Sequence, residues 1–125
     1  MSGDSLLLDT NAFIYFLAGR RTIADLVLQA ADVCFSPITE IELLRAPHLT
    51  EEESNTIRDL LTTCRRIDLD QQVIDAAVDL SRRYGLRVPD AIIAGSALVH
   101  DVALVSADQH LARVTELTLI ADITD

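Results

Sequence analysis

The chain has 125 residues, enough for one domain with its own core and too few for two. Half of them are hydrophobic, with aliphatic far outnumbering aromatic residues, the composition of a soluble α/β protein, and no apolar run approaches the roughly 18 residues of a membrane span. Twenty acids face ten bases, every base an arginine, for a net charge of −10; the lack of lysine excludes a Walker-A phosphate loop or a Schiff-base enzyme, and the sign argues against a protein that coats polyanions.

Met1 to Ser5 carries no basic leader, so no secretory signal is expected. Leu6-Leu7-Leu8 reads as a buried strand, followed by a helix from about Thr10 to Leu17 that breaks at Gly19-Arg20-Arg21. Ile23, Leu26, Val27 and Ala30 recur at helical spacing. Val33 to Ser36 is a short strand ended by Pro37, and Thr39 looks like a helix N-cap with Glu42 at capping-box spacing, the helix stopping at Pro47. Thr50 followed by Glu51-Glu52-Glu53 starts a further helix whose apolar side is Ile57, Leu60, Leu61 and Cys64. Arg66 to Leu69 can form a short strand; Asp70 caps the next helix, and Gly85 terminates it. Pro89-Asp90 opens a helix apolar nearly all round through Val99, followed by a strand at Val102 to Val105, a short helix at Asp108 to Val114 and a strand at Leu117 to Ile120.

Cys34 in a strand and Cys64 in a helix form no pattern, and read as buried thiols of a reducing cytoplasm, not as a disulfide or zinc framework. Strands alternating with helices predict a single α/β domain over residues 1–125: a three-layer α/β/α sandwich with a mainly parallel central sheet. Ligands of such sheets sit beyond the carboxyl ends of the strands, where the strand order reverses. Asp9 and Asp108 fall at or just past such ends.

Four acids stand beside apolar segments: Asp9, Glu42, Asp90 and Asp108. Taken singly, each has a plain reading as a helix cap or first-turn acid. Together they form a pattern. Thr10 and Asn11 after Asp9, and Ser106 before Asp108, are small polar residues able to orient a carboxylate. Carboxylates gathered in one place repel, and need protons or cations to hold them.

Through Leu8-Asp9-Thr10-Asn11, Ile38-Thr39-Glu40-Ile41-Glu42-Leu43, Pro89-Asp90-Ala91-Ile92-Ile93-Ala94 and Val105-Ser106-Ala107-Asp108, the chain resembles the PIN-domain ribonucleases, and within them the VapC-type toxins of toxin–antitoxin modules. No single motif is specific; the four in order, across a chain of this length, are. The resemblance implies a PIN-like fold and a cytoplasmic endoribonuclease dependent on Mg²⁺, or Mn²⁺, with Asp9, Glu42, Asp90 and Asp108 as its acidic quartet. Asp9, Asp90 and Asp108 are then the metal-ligating residues, and Thr10, Asn11 and Ser106 their supports. Glu40 rivals Glu42 as the middle acid, and Glu42, directly before Leu43, fits the motif better. Many relatives carry a further acid where this chain has His110, which puts a fifth metal contact in doubt. Arg20, Arg21 and Arg45 are candidate contacts to substrate phosphates, whereas Arg82, Arg83 and Arg87 read as cations at a helix C-terminus.

The implied partners are an RNA substrate, a cognate antitoxin protein and a second copy in a homodimer, with no membrane. Two other roles stay open: a housekeeping PIN nuclease in RNA maturation or decay, and a PIN-like module that binds RNA or protein without cutting. A haloacid-dehalogenase-type phosphatase needs an aspartate where Asn11 stands and a downstream lysine, which this chain lacks, as does a receiver-domain reading.

Overall fold

Successive side chains of a strand point to opposite faces of the sheet, and the first strand divides the core accordingly. In the computed structural model, which describes residues 4–125, β1 (Ser5–Leu8) sends Leu7 to one face, with Cys34 and Leu104 of the neighbouring strands. Leu6 and Leu8 go to the other face, with Phe35, Ala103 and Val105. Met1 to Gly3, on which most of the leader expectation rests, lie outside the described residues.

The chain continues through α1 (Thr10–Leu17), α2 (Arg21–Gln29), β2 (Asp32–Phe35), α3 (Pro37–Leu44), α4 (Glu51–Thr62) and β3 (Arg65–Arg66). Then come α5 (Gln71–Tyr84), α6 (Val88–His100), β4 (Ala103–Val105), α7 (Gln109–Ala112) and β5 (Leu119–Ile120). The five strands lie in the order β3-β2-β1-β4-β5, and every pair is parallel. Helices α1 to α4 bury Phe13, Ile23, Leu43, Ile57 and Leu61 on one face; α5 and α6 bury Val73, Leu80, Ile93 and Ala94 on the other. The expected sandwich is therefore present, with a sheet that is wholly rather than mainly parallel. Among the described residues no helix is long and apolar enough to cross a membrane.

Several boundaries follow from local chemistry. Thr50 and Glu53 form a reciprocal capping box at the start of α4, and Asp70 accepts from the Val73 N–H at 3.0 Å to cap α5. Gly85 ends α5 at φ +67°, a left-handed conformation that costs glycine little. The Thr39 N-cap expectation is corrected. Pro37, with its preset φ, opens α3 three residues earlier than a Thr39 cap would, and the Ser36 hydroxyl caps it by accepting from the Ile38 N–H. Thr39 thus lies inside the helix, and Glu42 is no capping partner. Cys64 falls past the end of α4, where its thiol meets the Leu60 carbonyl; both cysteines are free. The edge strands have two residues each: β3, at Arg65–Arg66, meets the expected Arg66–Leu69 only at Arg66, and β5 keeps only Leu119–Ile120 of the expected Leu117–Ile120.

Candidate active site

From β1 the chain lays β2 and β3 to one side and then returns to lay β4 and β5 on the other, so strand order reverses between β1 and β4. The backbone N–H of Asp9, just past β1, donates to the Val105 carbonyl at the end of β4 at 3.2 Å. Asp9 and the Ser106–Asp108 turn are thereby fixed side by side at the switch point.

Asp9 is nearly buried, at 7% exposure, and does cap α1: its Oδ1 accepts from the Ala12 N–H at 2.8 Å. That bond uses one oxygen only. Burial pushes the carboxyl above the usual carboxylate range, the hydrogen bonds from Ser106 and Ala12 oppose the shift, and the charges of Asp108 and Asp90 add to it. The Ser106 hydroxyl also accepts from the Asp108 N–H at 3.1 Å, so one buried serine serves both acids.

Asp90 sits half-buried in the first turn of α6. Burial raises its pKa, as do the charges of Asp108 and Glu42, while His110 and Arg87 pull it back. Asp90 therefore links Glu42 to the strand-end pair, and all four acids share one electrostatic neighbourhood.

Glu42 is held from another element. The Thr10 hydroxyl donates to its Oε1 at 2.6 Å, and the fully buried Thr39 hydroxyl lies 3.2 Å from that of Thr10. A hydroxyl carries one proton, so with Thr10 donating to Glu42 it is Thr39 that donates to Thr10. The polar chain runs Thr39, Thr10, Glu42. Thr39 was legible only as a capping residue; its nearness to Thr10 depends on the packing of α1 against α3. Glu40 instead turns to Arg66, at 3.8 Å.

Asp108 caps α7, its Oδ1 accepting from the His110 N–H at 2.9 Å and lying 3.1 Å from the ring Nδ1. Asn11 does not reach Asp9. One helix position beyond Thr10, turned by about 100°, it is exposed and makes no side-chain hydrogen bond among the described residues. Arg20 stacks on the Tyr15 ring at 5.3 Å and donates to the Thr124 carbonyl. Arg21 opens α2, and Arg45 lines a groove with Glu40 and Arg58. The polar cleft beside the acids, of about 370 Å³, is walled by Gly85, Leu86, Arg87, Asp90, Asp108 and His110. Arg87, assigned from sequence to a helix terminus, is thus the arginine that shares a wall with the acids.

As the side chains stand, no three His, Cys, Asp or Glu groups among the described residues are drawn in closely enough to clasp one ion. Asp9, Glu42 and Asp108 each accept a hydrogen bond from a protein donor, Asp90 accepts none among the described residues, and closing in uncompensated would add repulsion between like charges. The donor set itself, carboxylate oxygens in one another's field with two held above their ordinary pKa, is of the hard-oxygen type that suits a divalent cation such as Mg²⁺.

A family model described as the PIN domain matches residues 6–117. Among solved structures, a toxin–antitoxin complex from Klebsiella pneumoniae superposes with a TM-score of 0.80 at 26% identity, covering 92% of this chain and 95% of that one. DNA-bound VapBC from Salmonella typhimurium gives 0.76 at 20% identity over 96% and 98% of the two chains. VapBC-1 from nontypeable Haemophilus influenzae gives 0.75 at 23% over 93% and 96%. These last two likenesses are of fold. No curated protein matches the chain.

Proposed function

This chain belongs to the PIN domain family, and from that premise we propose that it is a divalent-metal-dependent endoribonuclease, the toxin of a toxin–antitoxin pair. What supports the reading is a set of four acids from separate parts of the chain whose charges act on one another. Asp9 and Asp108 lie at the strand switch point, Asp90 comes from α6, and Glu42 comes from α3, each in the field of another.

Asp9, Asp90 and Asp108 would hold the cation, Mg²⁺ or Mn²⁺, by turning their free oxygens inward. When bound, the ion supplies Lewis acidity at the phosphoryl oxygens and offsets the charge of the acids around an anionic substrate. Glu42, its Oε1 fixed by Thr10, takes the proton of the attacking water at its other oxygen. Ser106 keeps Asp9 and Asp108 oriented. Attack is in line with the bond to the 3′-oxygen, so the products carry 5′-phosphate and 3′-hydroxyl ends. RNA as substrate rests on the four motifs.

The antitoxin reading rests on the Klebsiella likeness, a toxin–antitoxin complex at 26% identity. An apolar cleft of about 380 Å³ between α1, α3 and α4, lined by Ile14, Leu17 and Leu49 and reaching Glu42, suits a partner segment laid beside the acids. The exposed Val78 and Val88 on α5 and α6 suit a second copy.

Incubation of a structured RNA with the protein and Mg²⁺ or Mn²⁺ tests the activity. Cleavage to 5′-phosphate ends should occur, stop with chelator, and be lost in Asp9→Asn and Asp108→Asn with the circular dichroism spectrum unchanged. Equal cleavage by these variants would contradict the assignment. Growth arrest on expression, relieved by a protein encoded beside this one, is the expected sign of the toxin role.

A further inference from the structure

The ten arginines are not equivalent. Arg65 pairs with Asp32, Arg66 with Asp68 and Arg83 with Asp79, while Arg20 and Arg113 donate to backbone carbonyls. Among the described residues, Arg21, Arg45, Arg58, Arg82 and Arg87 engage no protein group with their side chains. Of these, Arg87 alone walls the acid-lined cleft; Arg45 and Arg58 lie on a separate groove with Glu40, and Arg82 on an apolar groove of α5 and α6.

The root of Arg87 is nevertheless rigid. Its carbonyl accepts from the Ala91 N–H at 2.9 Å as the N-cap of α6, while its side chain takes no part in the cap. It stands three residues before Asp90, and its charge acts on that carboxylate. The fold therefore fixes where the guanidinium starts and makes no use of its five donors. His110 shares the wall, but its ring nitrogen is tied to Asp108 at 3.1 Å.

We propose that Arg87 anchors the RNA phosphate next to the scissile one, holding the strand in this cleft. The inference rests on the nuclease reading above. A strand entering between Asp90 and Asp108 meets repulsion along its length, and a cation bound by the acids offsets that only at the reacting phosphate. A neighbouring phosphate needs a second positive group, and a guanidinium fork matches its two free oxygens.

The test uses Asp9→Asn protein, silent in cleavage, and fluorescent single-stranded RNA bound in Mg²⁺ across a salt series. Adding Arg87→Gln should weaken binding about tenfold and flatten the slope of log affinity against log salt by about 0.7, one phosphate contact on a single strand. Arg82→Gln removes the same charge away from the cleft and should leave the slope intact. In the cleaving protein, Arg87→Gln should raise KM with kcat little changed. If Arg87→Gln and Arg82→Gln behave alike while the wild type cleaves, the anchor is wrong and the nuclease reading stands. If the wild type cleaves nothing but the Arg87-dependent slope appears, the anchor stands and the nuclease reading fails. No RNA binding by any form overturns both.

Discussion

The Thr39–Thr10–Glu42 chain is the least expected feature of the site, and it assigns Thr10 a different task from the one its place beside Asp9 suggests. Thr10→Val should lower kcat by about tenfold to a hundredfold, the usual cost of losing a group that orients a reacting carboxylate. It should also lower stability modestly, because the buried Thr39 hydroxyl loses its acceptor. Thr10→Ser should restore most of the rate, and Glu40→Gln, whose carboxylate faces Arg66, should leave it unchanged. The two raised aspartates make a second prediction. Burial, first, and like charge hold Asp9 and Asp90 above their ordinary value of 3.8, so the folded state binds protons more tightly than the unfolded one. Stability then falls as pH climbs from about that value through the raised folded one. Asp9→Asn keeps an oxygen to cap Ala12 and loses the charge. In chelator at neutral pH its Tm should rise by a few degrees; an unchanged or lower Tm would show that the carboxylates do not strain the fold. Glu42 lies inside α3 and was marked only by its spacing from Thr39, while Asp9, Asp90 and Asp108 were legible as candidates because each follows an apolar strand or opens a helix. Which neighbours support them was not, since Thr10 reaches Glu42 across 32 positions of chain.

At the level of elements, local chemistry wrote most of the boundaries. Asp70 and Gly85 bracket α5, Thr50 and Glu53 open α4, and Asp9 caps α1 while belonging to the site. Thr39 and Glu42 have capping-box spacing, yet Ser36, three residues earlier, does the capping, with Pro37 at the first position of α3. The edges β3 and β5 shrink to two residues because nothing pairs with their outer sides to extend them. Close approach of helices was invisible. A Cβ on Gly95 in α6 would lie 3.0 Å from the Ala77 backbone nitrogen and 3.3 Å from the Ala76 Cβ on α5, so the absence of a side chain lets these helices touch. Gly95→Ala should therefore destabilise by about 1–3 kcal/mol, despite alanine's better helix propensity, as the pair is forced apart. Urea unfolding measures this. A stabilised variant would mean that α5 and α6 yield freely, and because Asp90 rides on α6, activity should fall along with stability.

For the whole molecule, one topological fact outweighs composition. A chain with a net charge of −10 has little general attraction for nucleic acid. The parallel sheet reverses its strand order between β1 and β4, and Asp9 and Asp108 lie past the ends of those two strands. Under the proposed function the same charge that repels RNA would recruit a cation, so Mg²⁺ or Mn²⁺ should raise the Tm of the wild type and do so less for Asp9→Asn. The sequence pattern placed Asp9 and Asp108 at strand ends, because strand ends and helix starts carry recognisable residues; the strand order that makes this the switch point comes from the structure. The pattern did not reveal that the acids, as their side chains stand, are not drawn together closely enough to clasp one ion. The most direct measurement is calorimetric titration of Mn²⁺ into the protein without RNA. One shared site requires binding to the wild type, weakened at least about tenfold in both Asp9→Asn and Asp108→Asn and unaltered in Glu40→Gln. No binding to the wild type, or equal affinity in all four proteins, would contradict it.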